Sequence, residues 1–136
     1  MNPLALIVED SADQAYIFRK ALFMSGYQVE VVANGLAASA RLKEIVPWLV
    51  ILDLHLPGMS GEKLLRQIRS DERLKDTKVF LTTADAGLAE KLRSEATITL
   101  LKPISFAQLS MLATKFLPQT RPFGSSQAPA SSEENK

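Results

Sequence analysis

Between residues 4 and 117 the chain changes its hydrophobic period again and again. A short apolar or β-branched run is followed each time by a stretch with apolar residues at helical spacing. The runs are Leu4-Ala5-Leu6-Ile7-Val8, then Val29, Val31 and Val32, then Trp48-Leu49-Val50-Ile51-Leu52, then Lys78-Val79-Phe80-Leu81-Thr82, and last Thr97-Ile98-Thr99-Leu100-Leu101. Near-continuous apolar runs of this length fit strands buried on both faces. Between them, residues 12–25 carry Ile17, Phe18, Ala21, Leu22 and Ser25 on one expected face, with Gly26 as the stop. Asn34-Gly35 is expected to end the second strand, and residues 36–45 to form a helix that points Leu36, Ala40 and Ile45 inward before Pro47. After the turn-rich Leu56-Pro57-Gly58-Met59-Ser60-Gly61, a helix has Leu64, Leu65 and Ile68 inward and Arg66 and Arg69 in water. A short helix over 86–95 is built on Leu88 and Leu92, and a last one over 105–117 on Phe106, Leu109, Leu112, Ala113 and Phe116. Parallel strands require crossovers, and right-handed crossovers place helices on both faces of the sheet. The expectation is one five-stranded parallel sheet in a doubly wound α/β fold.

A chain of 136 residues with 46% hydrophobic content supports one such core and not two. Residues 1–117 are read as the domain. Residues 118–136, with three Pro and four Ser, are read as a flexible tail, because so little apolar surface cannot offset the entropy of ordering. The chain has no cysteine, which excludes disulfide scaffolds, cysteine zinc sites and cysteine nucleophiles. One histidine, His55, excludes multi-histidine metal cages. A net charge of +1 gives no reason to expect direct nucleic-acid binding. No apolar run approaches the ~20 residues that span a bilayer, and no basic leader opens the chain, so a cytoplasmic protein is expected.

In open parallel sheets ligands bind beyond the carboxyl ends of the strands. Glu9-Asp10, Asp53, Thr83 and Lys102 fall there, after the first, third, fourth and fifth strands. Strands one and three are expected to be neighbours across the switch point, which brings three carboxylates together. Such a cluster needs a compensating cation, and an all-oxygen donor set favours Mg²⁺ or Mn²⁺ over Zn²⁺. A carboxylate beside a divalent ion, a lysine and a hydroxyl is equipped to take a phosphoryl group, with Asp53 as nucleophile. Taken singly, each residue has a bland reading as a turn or cap residue. The weight lies in their joint placement.

These residues carry a family resemblance. The acidic pair Glu9-Asp10, Asp53 in Val-Ile-Leu-Asp-Leu-His-Leu-Pro-Gly-Met-Ser-Gly, Thr83-Ala84 and Lys102-Pro103 occur in order at near-family spacing. Over residues 4–117 the chain resembles the CheY-like receiver domains of two-component response regulators. The resemblance implies strand order 2-1-3-4-5, a phosphoacceptor at Asp53, and Mg²⁺ held by Asp10, Asp53 and the backbone carbonyl of His55. It implies that Glu9 acts through a metal-bound water and that Lys102 pairs with the phosphoryl group or, at rest, with Asp53. Thr83 turns to the phosphoryl oxygen, and the Lys102-Pro103 bond is cis. The implied phosphoryl donor is a sensor histidine kinase or a phosphotransfer protein. The implied output is a downstream protein target or onward transfer, without substrate turnover of the chain's own. A single-domain regulator is expected, with homodimer formation left open.

Three features depart from the family pattern. The aromatic residue usual three positions before the lysine is Thr99, which weakens the usual readout. Nineteen positions separate Thr83 from Lys102, about a turn fewer than typical, so the fourth helix is expected to be short. His55 lies two residues after the acceptor, either as a plain surface histidine or as a group that tunes the lifetime of the phosphoryl group. The competing readings are a pseudo-receiver that binds partners without phosphorylation, and an aspartyl-phosphate hydrolase. The hydrolase reading is disfavoured because His55 stands where a general-acid Asp is usual. Dinucleotide binding fails because no Gly-rich turn follows the first strand.

Overall fold

A computed structural model describes residues 2–119, so most of the expected tail lies outside the described residues. The elements run β1 (Leu4–Val8), α1 (Ala12–Met24), β2 (Gln28–Val32), α2 (Gly35–Leu42), β3 (Leu49–Asp53), α3 (Gly61–Ser70), β4 (Lys78–Thr83), α4 (Ala86–Leu92), β5 (Ile98–Leu101) and α5 (Phe106–Lys115). Single 3₁₀ turns follow α3 and α4 at Glu72–Leu74 and Arg93–Glu95. The sheet is parallel throughout, in the order β2-β1-β3-β4-β5. This is the doubly wound, flavodoxin-like arrangement, with the strand order that the family resemblance implies. No helix among the described residues is long and apolar enough to cross a membrane.

Each helix starts at a polar cap. Ser11, Asn34, Ser60, Asp85 and Ser105 each accept a hydrogen bond from the amide three residues on. These bonds satisfy amides that have no partner within the helix. The capping corrects one expectation: Asn34 and Gly35 do not merely end β2, since Asn34 caps α2 and Gly35 is its first residue. The strand runs are apolar nearly throughout because side chains alternate between the two faces of the sheet and both faces are covered. Leu6, Val8, Val50, Leu52, Val79 and Leu81 pack against α2, α3 and α4. The alternate residues Ala5, Ile7, Leu49, Ile51, Phe80 and Leu100 pack against α1 and α5.

Four inward assignments do not hold. Ile17 is 41% exposed and Leu36 61% exposed, and Ala40 is exposed as well; α2 ends at Leu42, short of the expected Ile45, and its buried stripe is Gly35, Ala38, Ser39 and Leu42. Phe106 is also exposed, leaving Leu109 and Ala113 as the buried residues of α5. The fourth helix is short, as expected: seven residues before its 3₁₀ turn.

The first and last helices are tied together. The Ser25 hydroxyl lies 3.1 Å from that of Ser110, and the buried Tyr27 hydroxyl donates to the Ala113 carbonyl at 2.8 Å. Trp48 Nε1 donates to the Phe116 carbonyl at 2.7 Å. Burial pushes the Tyr27 hydroxyl up to about 12. An acid whose pKa is raised by folding gives its full stability below its unfolded value, ~10, and loses it as pH rises through the folded one. Tyr27→Phe should therefore cost about 1 kcal/mol at neutral pH through the lost hydrogen bond. It should also remove part of the destabilisation between roughly pH 10 and 12. Urea unfolding of both proteins across that range checks this, and parallel pH profiles would contradict it.

Candidate functional site

The alternation that builds the core also sorts the site residues. Asp53 lies two residues after Ile51 in β3, so it continues the face that packs on α1 and α5. Thr83 lies two after Leu81 in β4 and continues the opposite face, toward α4. Glu9 follows β1 and Lys102 follows β5. Pairing of β1 with both β2 and β3 holds the two acidic strand ends side by side.

The structure brings Glu9, Asp10, Asp53 and Lys102 together, while Thr83 contacts His55 and Asp85 and not the carboxylates. Carboxylate oxygens of Glu9, Asp10 and Asp53 lie within 4.8 Å of one another. Glu9 and Asp53 are buried and Asp10 is exposed. Lys102 reaches in from the end of β5, its Nζ 3.1 Å from Glu9 Oε1 and 3.3 Å from Asp53 Oδ2. The lysine therefore bridges two carboxylates, where the sequence suggested Asp53 alone. The Lys102-Pro103 bond is cis. Glu9 Oε2 also accepts the Ser11 amide at 3.1 Å, and Asp53 Oδ1 accepts the His55 amide at 3.0 Å. Burial is the main force raising the Glu9 carboxyl above its ordinary 4.5. The Asp53 charge adds to it, while the Ser11 amide and Lys102 pull the other way.

The charges can be counted directly: three carboxylates against one ammonium leave two negative charges, with Glu9 and Asp53 buried and Asp10 exposed. Buried charge of one sign needs a partner. All the side-chain ligands are hard oxygens, the donor set that suits Mg²⁺ or Mn²⁺. A further observation fits a site for a hydrated ion. Thr82 pairs with Asp53 in the sheet register and lies on the same face as Phe80, and its buried Oγ1 has no hydrogen-bond partner. The residues present thus fit a small divalent cation.

The Thr83 hydroxyl has two neighbours that sequence reasoning did not foresee. Asp85 N donates to Thr83 Oγ1 at 3.0 Å, and His55 Nε2 lies 3.1 Å from the same oxygen. Asp85 could have been read as a helix cap from its place before Leu88, but not as a partner of Thr83. The loop from Leu54 to Ser60 is shaped by close backbone contacts. Gly35 N donates to the Pro57 carbonyl at 2.9 Å, Gly61 N donates to the Leu54 carbonyl at 3.3 Å, and Gly58 has a φ of +85°. Both Gly35 and Gly61 lie where a Cβ would run into the backbone of this loop or of β3.

Comparison with known proteins bears on this geometry. The family model described as "Response regulator receiver domain" matches residues 5–114. The polar-differentiation response regulator DivK of Brucella ovis is 34% identical over 110 residues, covering 77% of this chain and 88% of DivK. The phosphate regulon transcriptional regulatory protein PhoB of Rhizobium meliloti is 31% identical over 125 residues. That match covers 90% of this chain, which spans about half of the relative, 55% of its length. Among solved structures, the signal receiver domain of a LuxO repressor protein from Vibrio parahaemolyticus superposes with a TM-score of 0.77 at 30% identity. It covers 85% of this chain and 90% of that one.

Proposed function

The chain belongs to the response regulator receiver domain family, and on that premise we propose that Asp53 accepts a phosphoryl group with the help of a divalent cation. The observation that carries this reading is the buried cluster of Glu9, Asp10 and Asp53 bridged by Lys102. An Asp53 carboxylate oxygen attacks phosphorus and forms a new O–P bond. The bond to the leaving group breaks: P–N to a phosphohistidine imidazole, which keeps the electron pair and takes a proton, or P–O to acetate from acetyl phosphate. The Lys102 ammonium moves its charge from the carboxylates toward the phosphoryl oxygens. Asp10, Asp53 and the His55 carbonyl would hold Mg²⁺ and Glu9 would reach it through water; the ion supplies positive charge against the transferring oxygens. Thr83 donates its hydroxyl to a phosphoryl oxygen and reports the state to the α4 face. The donor is a histidine kinase or a phosphotransfer protein, and the output passes to a protein partner.

Acetyl phosphate and Mg²⁺ should add ~80 Da to the protein, the mass that a phosphoryl group implies. Asp53→Asn should abolish the adduct. Intact mass spectrometry with site mapping decides this. An adduct that persists on another residue, or none on the unsubstituted chain, counts against the reading.

A further inference from the structure

We propose that His55 is a positioning residue that latches the Thr83 hydroxyl away from the phosphoacceptor, so that phosphorylation must break the latch. The proposal rests on the phosphoacceptor reading of Asp53 and goes beyond it. The observations are geometric. His55 sits on the loop after β3, and its backbone amide is fixed on Asp53 Oδ1 at 3.0 Å. From that anchor its ring reaches across to Thr83, where Nε2 lies 3.1 Å from Oγ1. On the other side, the Asp85 amide donates to the same oxygen at 3.0 Å. A threonine hydroxyl has one proton and two lone pairs. One lone pair is used by Asp85, and the ring of His55 engages what remains. Both of these partners lie on loops that follow strand ends, and neither is part of the carboxylate cluster.

With His55 in its Nδ1–H tautomer, Nε2 accepts the one hydroxyl proton, so the hydroxyl can donate to a phosphoryl oxygen only when this bond breaks, and the partner free to leave is the histidine. The Asp85 amide is held in place, because the Asp85 side chain caps α4 by accepting the Leu88 amide at 3.1 Å. The His55 ring sits on an exposed residue. Its release exchanges a bond to Thr83 for bonds to water, so the latch is weak enough to open and strong enough to bias the resting state. The latch gives Thr83 two defined positions, one on the His55 ring and one on the phosphoryl group. In this scheme the His55 side chain opposes phosphorylation through Thr83, while only the His55 backbone touches the phosphoacceptor.

The test is a double-mutant cycle read by binding and by spectroscopy. His55→Phe keeps a ring and removes both nitrogens, His55→Gln keeps a hydrogen-bonding group, and Thr83→Ala removes the hydroxyl. Beryllofluoride with Mg²⁺ is the probe. His55→Phe should tighten beryllofluoride binding about five-fold, the worth of one hydrogen bond. The gain should vanish when Thr83→Ala is also present, and His55→Gln should stay within two-fold of the unsubstituted protein. Independently, Thr83→Ala in the metal-free protein should shift the His55 ring nitrogens in ¹⁵N NMR. Weaker binding by His55→Phe would overturn the latch, as would a gain that survives Thr83→Ala or unmoved ring shifts. If the unsubstituted chain fails to bind beryllofluoride while its His55 ring does respond to Thr83→Ala, the phosphoacceptor reading fails. The role of the contact in phosphorylation falls with it.

Discussion

Lys102→Met should cost the metal-free protein about 3–5 kcal/mol at neutral pH, the usual penalty for stranding a buried charge by removing its partner. Lys102 Nζ stands within 3.3 Å of both Glu9 and Asp53, the only cation in hydrogen-bonding contact with either among the described residues. Without it two buried carboxylates face each other, and their repulsion already helps to raise the Glu9 pKa. The sign follows from that shift. A carboxyl whose pKa is higher folded than unfolded contributes most below its unfolded value and destabilises as pH rises through the folded one. The penalty of Lys102→Met should therefore shrink toward acid pH, where Glu9 takes up a proton. Adding Glu9→Gln should recover much of the loss, since it deletes one of the two stranded charges. Urea titrations at several pH values measure all three proteins. A loss that ignores both pH and Glu9→Gln would mean that the lysine acts through the packing of its stem.

Gly61→Ala is expected to lower stability by about 2–4 kcal/mol, the range for forcing backbone apart in a packed site. A Cβ at Gly61 would sit 2.6 Å from the Leu54 Cα and 3.0 Å from the Asp53 carbonyl carbon, and closer still to its oxygen. No side chain can rotate away to relieve this, because the obstacle is β3 itself. The displaced segment is the one that aims Asp53 and His55. The variant should therefore label with acetyl phosphate far more slowly than its remaining folded fraction allows. Thermal melting and labelling rates measured below the melting midpoint separate the two effects. A variant as stable as the parent would show that the α3 start can slide outward without cost.

The sheet was legible because its strands are near-continuous apolar runs, and the strand ends because the site residues directly follow those runs. Once Ile7, Ile51 and Leu100 are assigned to one face, Glu9, Asp53 and Lys102 follow from counting, and they do meet. Helical phase was harder to read. Leu36 is the largest apolar residue at the start of α2, yet it lies outside because the inner position at the helix start is taken by Gly35, where the loop backbone at Met59 passes too close for a side chain. Close approach selects for small residues, and a reading by hydrophobicity overlooks them. Ile17 misleads for a related reason: it adjoins Phe18, and the narrow stripe of α1 has room for Ala15, Phe18, Ala21 and Leu22. The contact between His55 and Thr83 joins residues 28 apart in the chain and depends on the path of a loop. No periodicity encodes that path.

The ties between α1 and α5 also bear on synthesis. Residues of the first helix are completed by residues made much later: 85 positions separate Ser25 from Ser110, and 86 separate Tyr27 from Ala113. A nascent chain that has emerged only as far as β5 already holds Ile7, Ile51, Phe80 and Leu100, but not the Leu109 and Ala113 that cover them. Until α5 leaves the ribosome, that sheet face has no roof on one side, and the buried Tyr27 hydroxyl has no acceptor. The domain is thus a clasp that fastens only once α5 has been made, and a stalled or truncated chain lacking α5 presents a greasy sheet to its neighbours, the kind of surface that chaperones bind.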